Sequence, residues 1–191
     1  MPALTTPVCD FGTSARDFYL PDCFGKFMTL AECFGDSVSS NGFLVMFICN
    51  HCPYVQAILP ELIATTKILK AAGVNTVAIM SNDWQAYPDD SPIKMRDLVT
   101  QYGFDFPYLV DETQDVARQY EAVCTPDFFG YNNKLELQYR GRFDDRGRNR
   151  LTDNTTQKQN ELEQAMLQIT KTGKGPAEQK PSIGCSIKWR A

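Results

Sequence analysis

The sequence predicts an α/β domain with a central mixed β-sheet flanked by helices, an N-terminal hairpin and a C-terminal arm. Two observations lead to this prediction. An apolar run, a long helical segment and a second apolar run follow one another between residues 43 and 80, which is the order of a βαβ unit with parallel strands. Two later strand-like segments flank Asn132-Asn133 and predict an antiparallel hairpin, so the sheet is mixed.

The first half of the chain predicts a hairpin, a buried strand, a helix and a second buried strand, at residues 17–30, 43–48, 53–72 and 74–80. The strand at 43–48 is continuously apolar and follows Asn41-Gly42, which is typical of a strand covered on both faces. In the helix, apolar residues such as Ile58 and Leu62 recur at helical spacing, and Gly73 supplies the stop.

The second half predicts a helix at 93–102, a strand at 107–110, a helix at 113–122, hairpin strands at 128–131 and 135–139, and an amphipathic helix at 157–170. Residues 1–172 are expected to form one domain, long enough to bury its own core. Residues 173–191 are expected to be a linker and a C-terminal tail with apolar anchors.

Composition excludes several classes of partner. The formal net charge is −4, so no overall basic field attracts nucleic acid or an acidic membrane. No apolar run approaches the length that spans a membrane. The start of the chain has neither a cationic segment nor an apolar one of the kind found in secretory signals, so we expect a cytoplasmic protein without nucleic-acid or membrane partners.

Cysteine is abundant, with seven residues in the chain: Cys9, Cys23, Cys33, Cys49, Cys52, Cys124 and Cys185. In a reducing compartment such a content indicates catalysis or metal binding rather than structural disulfides. Cys49 and Cys52 form a C-x-x-C motif where the first buried strand passes into a helix. A thiolate there gains from the positive end of the helix dipole and its free N–H groups. His51, the only histidine, lies between them.

Several spacings resemble the thioredoxin superfamily, and in particular its peroxiredoxin-like (AhpC/TSA-type) branch. Phe47, Cys52 and Pro60 match the strand aromatic, the nucleophilic cysteine and the helix proline of that pattern without a gap. Thr125-Pro126 resembles the loop whose cis-proline faces the active site. The similarity covers roughly residues 15–170, and segments 17–26 and 181–189 resemble the first hairpin and the tail of the same branch.

The resemblance implies that Cys52 is the nucleophile. This C-x-x-C motif therefore lies three residues upstream of the thioredoxin motif, in which the nucleophile is the first cysteine. Cys49 is then the favoured resolving cysteine, and Cys124 and Cys185 are further candidates. Cys49 and Thr125 stand where peroxiredoxins of this shape carry a threonine and often an arginine, so groups that position a peroxide are missing. Pro126 is expected to be cis and to leave its loop backbone free to pair with an extended substrate chain.

Other residues are expected to shape the site. Pro53 begins the helix, and His51 either fills an aromatic slot or tunes the thiolate. Trp84, after the second buried strand, is expected to form a groove wall together with Tyr54, although a plain polar loop at 81–84 is an equal alternative. A metal site needs about four ligands, and the only histidine is contiguous with the cysteine pair, so neither a metal nor another cofactor is predicted. Cys9, Cys23 and Cys33 are assigned no role.

Three hypotheses follow. The first is a thiol–disulfide oxidoreductase that exchanges with protein or small-molecule disulfides and is recycled by a cellular dithiol. The second is a peroxiredoxin-like thiol peroxidase that reduces hydroperoxides through a sulfenic acid on Cys52. The third is a non-catalytic redox-sensing or binding module.

Overall fold

The central strand, β4 (Gly42–Phe47), explains how one sheet separates two apolar cores. All of its residues are buried, and successive side chains point to opposite faces. Leu44 and Met46 belong to one core, and Phe43 and Val45 belong to the other. In the computed structural model, which describes residues 3–35, 40–146 and 160–190, this strand lies in the middle of a five-stranded sheet.

The sheet is mixed, as predicted. Strand β4 pairs in parallel with β5 (Val74–Met80) and antiparallel with β8 (Asp127–Asn132). Strand β6 (Tyr108–Val110) lies at one edge beside β5, and β9 (Leu137–Tyr139) lies at the other edge beside β8. The spatial order is β6-β5-β4-β8-β9.

Helices cover both faces of this sheet. They are α1 (Leu30–Phe34), α2 (Pro53–Ala71), α3 (Pro92–Tyr102), α4 (Asp115–Gln119) and α5 (Glu161–Thr172). Side chains of α2, α3 and α5 enter the core that contains Leu44, whereas those of α1 and α4 enter the core that contains Phe43. None of the helices described is long and apolar enough to cross a membrane.

Two smaller sheets complete the fold. Strands β2 (Tyr19–Pro21) and β3 (Phe27–Thr29) form the predicted N-terminal hairpin. Strands β1 (Ala3–Thr5), β10 (Ile183–Ser186) and β7 (Cys124–Thr125) form an antiparallel sheet in that spatial order. Because β7 comes just before β8, this small sheet lies at the end of the central one.

Most predicted elements are present with ends shifted by a few residues. Helix α4 is the largest difference, since it spans five residues where ten were predicted. Residues 157–159, where the last helix was predicted to begin, lie outside the described residues. In the tail, Ile187 is buried but Ile183 and Trp189 are exposed, so the expected apolar anchors are present only in part. Strand β10 also pairs with β7, which sequence reasoning did not foresee. The domain boundary at residue 172 stays a prediction.

Candidate active site

Cys52 lies where the chain leaves β4 and enters α2. It is the N-cap residue of α2, with φ −74° and ψ 119°, and Pro53 occupies the first helical position. Proline suits this position because its fixed φ matches the helix and its missing N–H would have no partner there. The Cys52 side chain is completely buried, so its sulfur faces the protein rather than solvent.

Hydrogen-bond donors around this sulfur favour its ionised form. The Cys49 thiol makes the largest contribution, followed by the Thr125 hydroxyl and the backbone N–H groups of Val55 and Cys185. Together they lower the pKa of Cys52 to about 5, although burial acts in the opposite direction. The Thr125 carbonyl oxygen, 3.1 Å from Sγ, accepts a hydrogen bond from the protonated thiol and so favours the neutral form. The donors outweigh both this acceptor and burial, and a pKa of about 5 favours the thiolate near neutral pH.

Cys49 has the opposite tendency. Its Sγ lies 3.3 Å from Oγ1 of Thr125, and its thiol donates to the Cys52 sulfur. Donation to Cys52 raises the pKa of Cys49 well above its ordinary value, and burial and the nearby charge of Asp90 raise it further. The two cysteines thus form a hydrogen-bonded thiol–thiolate pair, with the charge on Cys52.

The loop that ends β7 closes the site from the other side. The peptide bond between Thr125 and Pro126 is cis, as the resemblance implied. The expectation that this backbone is free for a substrate chain is wrong for the structure described. Strand β10 pairs with it, with Cys185 opposite Thr125 and Ser186 opposite Cys124.

His51 is held by a carboxylate that sequence reasoning missed. Its Nδ1 lies 2.6 Å from Oδ2 of Asp90, which belongs to the 3₁₀ turn Pro88–Asp90. This hydrogen bond is the main cause of a raised His51 pKa. The imidazole also stacks on Tyr87, with ring centroids 5.7 Å apart.

Asp90 also organises the backbone between the two cysteines. The N–H groups of Asn50 and His51 donate to its Oδ1 at 2.8 and 3.2 Å, and Asn82 Nδ2 donates to Oδ2 at 2.8 Å. The carboxyl group is fully buried, and these donors supply the hydrogen bonds that a buried polar group requires. No local pattern marks this residue, because it lies 39 positions from His51 in the chain.

The remaining predicted site residues have different surroundings. Cys124 is buried in β7, and its pKa is raised by burial, so its thiol stays protonated. Burial also raises the pKa of Cys23 to about 11 and of Cys33 to about 12. Trp84 lines a cavity with Cys23 and residues of the N-terminal hairpin, and Tyr54 lines another, so a groove wall formed by both stays a prediction.

A cavity of about 260 Å³ opens beside the cis-proline. Its apolar walls are Tyr54 and Ile58 of α2, Pro126, and Ile183 of β10. Arg142 and Arg146 form its polar end, paired with Glu161 and with Asp144 and Glu61 respectively. This cavity lies close to the reactive loop in sequence, because Tyr54 follows Cys52 by two residues and Pro126 directly follows Thr125.

One set of side chains has the composition of a partial metal site. Ligand atoms of Cys49, His51 and Asp90 all lie within 4.8 Å of one another. These groups already satisfy each other and their neighbours, because His51 bonds to Asp90, and Cys49 bonds to Thr125. The donor set is therefore accounted for by hydrogen bonding, and the prediction that no metal is required stays a prediction.

Comparison with known proteins places this geometry among thiol proteins. A model of the AhpC/TSA family matches residues 11–143. No curated protein matches the chain.

Solved structures agree with this family match. An uncharacterised conserved protein from Geobacillus kaustophilus is 40% identical, with a TM-score of 0.88 over 100% of this chain and 97% of that one. A hypothetical protein from Sinorhizobium meliloti is 39% identical, with a TM-score of 0.86 over 98% of both chains. The thioredoxin domain of a thiol-disulfide oxidoreductase from Bacteroides vulgatus is 16% identical, with a TM-score of 0.54 over 68% of this chain and 86% of that one. The predicted thioredoxin-like fold is confirmed.

Proposed function

The chain belongs to the AhpC/TSA family, and from that premise we propose that it is a thiol–disulfide oxidoreductase in which Cys52 is the nucleophile and Cys49 the resolving cysteine. Family membership and the thioredoxin-like fold support thiol-based redox activity. One observation supports this particular assignment more than any other. Thr125 lies against both sulfurs of the C-x-x-C motif, with its hydroxyl 3.3 Å from Sγ of Cys49 and its carbonyl oxygen 3.1 Å from Sγ of Cys52, and the pKa values of the two cysteines are shifted in opposite directions.

In the first step, the Cys52 thiolate attacks one sulfur of a substrate disulfide. A mixed disulfide forms on Cys52, and the other substrate sulfur leaves as a thiolate. This step removes the negative charge from Cys52. It thereby removes the hydrogen-bond acceptor that holds the proton on Cys49, which is the largest cause of its raised pKa.

In the second step, Cys49 loses its proton to the departing thiolate and attacks the Cys52 sulfur. The Cys49–Cys52 disulfide forms, and the second half of the substrate leaves as a thiol. A cellular dithiol then reduces the internal disulfide, which fits the proposed location in the cytoplasm. Thr125 contacts both sulfurs, so it is the residue best positioned to hold them together through the cycle.

The test is thiol–disulfide exchange between the reduced protein and oxidised glutathione. Stopped-flow mixing measures its rate, and mass spectrometry identifies the disulfides that form. We expect Cys52→Ser to abolish exchange and Cys49→Ser to remove the Cys49–Cys52 disulfide while leaving the first attack. Cys33→Ser is the matched control, because Cys33 is also a buried cysteine but lies in the opposite core. Retention of the full rate by Cys52→Ser would overturn the assignment, and oxidation without turnover by dithiols would favour a redox-sensing module.

Burial of the nucleophile favours a thiol peroxidase as the second candidate. A completely buried sulfur is more accessible to a small hydroperoxide than to a protein disulfide. In that reaction the Cys52 thiolate attacks the distal oxygen of the hydroperoxide, the O–O bond breaks, and the other oxygen leaves and is protonated to an alcohol or water. Cys52 becomes a sulfenic acid, which condenses with the thiol of another cysteine to form a disulfide and release water. A hydrogen peroxide rate far above that of an ordinary thiolate, absent in Cys52→Ser, would favour this candidate. A rate equal to that of a free thiol would exclude it.

A further inference from the structure

The tail cysteine, Cys185, is a fixed part of the candidate site. Strand β10 lies between β1 and β7, so Cys185 has Ala3 on one side and Thr125 on the other. Its side chain is only 5% exposed. The sequence placed Cys185 in a C-terminal tail with apolar anchors as a further candidate, and the structure holds it beside the cis-proline loop through strand pairing.

Strand β10 lies very close to the Thr125 backbone. A Cβ at Gly184 would overlap the Thr125 carbonyl oxygen, so glycine is the residue that allows β10 to approach the loop. Ser182 Oγ donates to the carbonyl of Pro126 at 2.8 Å on one side of this contact. On the other side, the Ile187 N–H donates to the carbonyl of Val123 at 3.2 Å.

Further along, the tail is fixed to the network that carries Asp90. The Lys188 N–H donates to Asn82 Oδ1 at 2.8 Å, and Asn82 Nδ2 donates to Asp90. Strand β10 also packs directly on helix α2, whose N-cap is Cys52. Both ends of β10 are therefore anchored to elements that carry the reactive loop.

Cys185 lies directly opposite Thr125, whose carbonyl oxygen is 3.1 Å from Sγ of Cys52. In keeping with this position, hydrogen bonding between the two residues raises the pKa of the Cys185 thiol and lowers that of Cys52. Cys52 is thus flanked by two thiols, Cys49 from its own loop and Cys185 from the tail.

We propose that Cys185 is a second internal partner of Cys52, held by β10 so that it competes with Cys49 for the mixed disulfide. This inference rests on the proposed function, because it requires Cys52 to carry the substrate half-disulfide. Its consequence is a branched outcome, in which the oxidised protein carries either a Cys49–Cys52 or a Cys52–Cys185 disulfide.

Cys185 resolves the mixed disulfide in a single exchange step. The Cys185 thiol loses its proton to the departing substrate thiolate and attacks the Cys52 sulfur. The bond between Cys52 and the substrate half breaks, and that half leaves as a thiol. The substrate disulfide is the oxidant, and both protein sulfurs are oxidised to the disulfide.

Electrostatics make Cys185 the easier of the two thiols to ionise. Burial raises its pKa to about 11, and the Lys188 ammonium opposes that change. The pKa of Cys49 is raised further by the nearby charge of Asp90. The Cys52–Cys185 disulfide also ties β10 to α2 covalently, so it closes the site until a reductant opens it.

The test is peptide mapping after oxidation of the reduced full-length protein with one equivalent of oxidised glutathione. We expect the wild type to yield a Cys52–Cys185 disulfide. Gly184→Ala should lower the ratio of Cys52–Cys185 to Cys49–Cys52 disulfide about tenfold, because the added methyl group displaces β10 from Thr125. Gly175→Ala is the matched control, since its Cβ would overlap the Gln138 carbonyl away from the site, and it should leave the ratio unchanged.

A second measurement keeps the inference testable if Gly184→Ala does not fold. In Cys49→Ser, the mixed disulfide should decay as Cys185 attacks it, whereas in the double variant with Cys185→Ser it should persist. Exchange that yields only the Cys49–Cys52 disulfide, with a persistent mixed disulfide in Cys49→Ser, would overturn this inference and leave the proposed function intact. Exchange that survives Cys52→Ser would overturn the proposed function itself.

Discussion

Replacement of Cys49 tests the origin of the Cys52 thiolate. Cys49→Ala removes the donor that contributes most to the lowered pKa of Cys52. A hydrogen bond to a charged group is worth about 1.5–3 kcal/mol. About 1.4 kcal/mol corresponds to one pKa unit, so the loss should raise the Cys52 pKa by about 1–2 units. The midpoint of ionisation should therefore move from about 5 to about 6–7.

The assay is the ultraviolet absorbance of the thiolate as a function of pH. The pKa of every other cysteine is raised, to about 11 for Cys9, Cys23 and Cys185, so Cys52 alone ionises below neutral pH. The same titration of Cys52→Ser supplies the baseline.

The matched control is Cys49→Ser, whose hydroxyl still donates and should leave the midpoint near that of the wild type. An unchanged midpoint in Cys49→Ala would refute the reasoning and would assign the low pKa to the helix terminus and its N–H groups. Equal shifts in both variants would show that the thiol acts through its size or polarisability rather than as a donor.

Three further outcomes are expected. Asp90→Asn should lower the free energy of unfolding, measured in urea, by about 1–3 kcal/mol, because the amide cannot accept all the hydrogen bonds of the carboxylate. It should also lower the pKa of His51, which an NMR titration would measure. Arg140→Met should lower the free energy of unfolding by about 3–5 kcal/mol, since it leaves the fully buried Asp127 without its cation. Recovery of stability in the double variant with Asp127→Leu would confirm the pair, and an unchanged thermal unfolding of Arg140→Met would contradict it. The pKa of Cys52 is about 5 in the folded protein and about 8.5 in the unfolded chain, so ionisation of Cys52 stabilises the fold fully above pH of about 8.5 and this contribution is lost as pH falls towards about 5. The difference in unfolding free energy between the wild type and Cys52→Ala should therefore change over this range by at most about 1.4 kcal/mol per pH unit.

Local patterns were sufficient to predict the elements that depend on near neighbours in the chain. The start of α2 follows from Pro53, and its end follows from Gly73, whose φ of +82° is a left-handed conformation that favours glycine. The buried strands follow from continuous apolar runs. Spacing relative to the family pattern was enough to predict the cis peptide before Pro126.

The parts that were missed depend on contacts between distant segments. Asp90 lies in a short turn with no periodicity, and its importance arises only when β5 brings that turn beside residues 49–52. The pairing of β10 with Thr125 joins residues 60 positions apart, and the tail was too short to show a strand pattern. Sequence could therefore predict that Cys49, Cys52 and Thr125 belong to one candidate site, but not the contributions of Asp90 and of strand β10 to it.

The position of β10 between β1 and β7 has a practical consequence for work with the purified protein. Ala3 lies directly opposite Cys185, so a fusion partner or affinity tag attached ahead of residue 3 would be placed one strand away from the reactive thiols. Such an addition can displace β1 or clash with β10, and it would then alter thiol reactivity without any substitution in the site itself. Rates measured on tagged and tag-free protein should consequently be compared before differences among variants are attributed to their side chains.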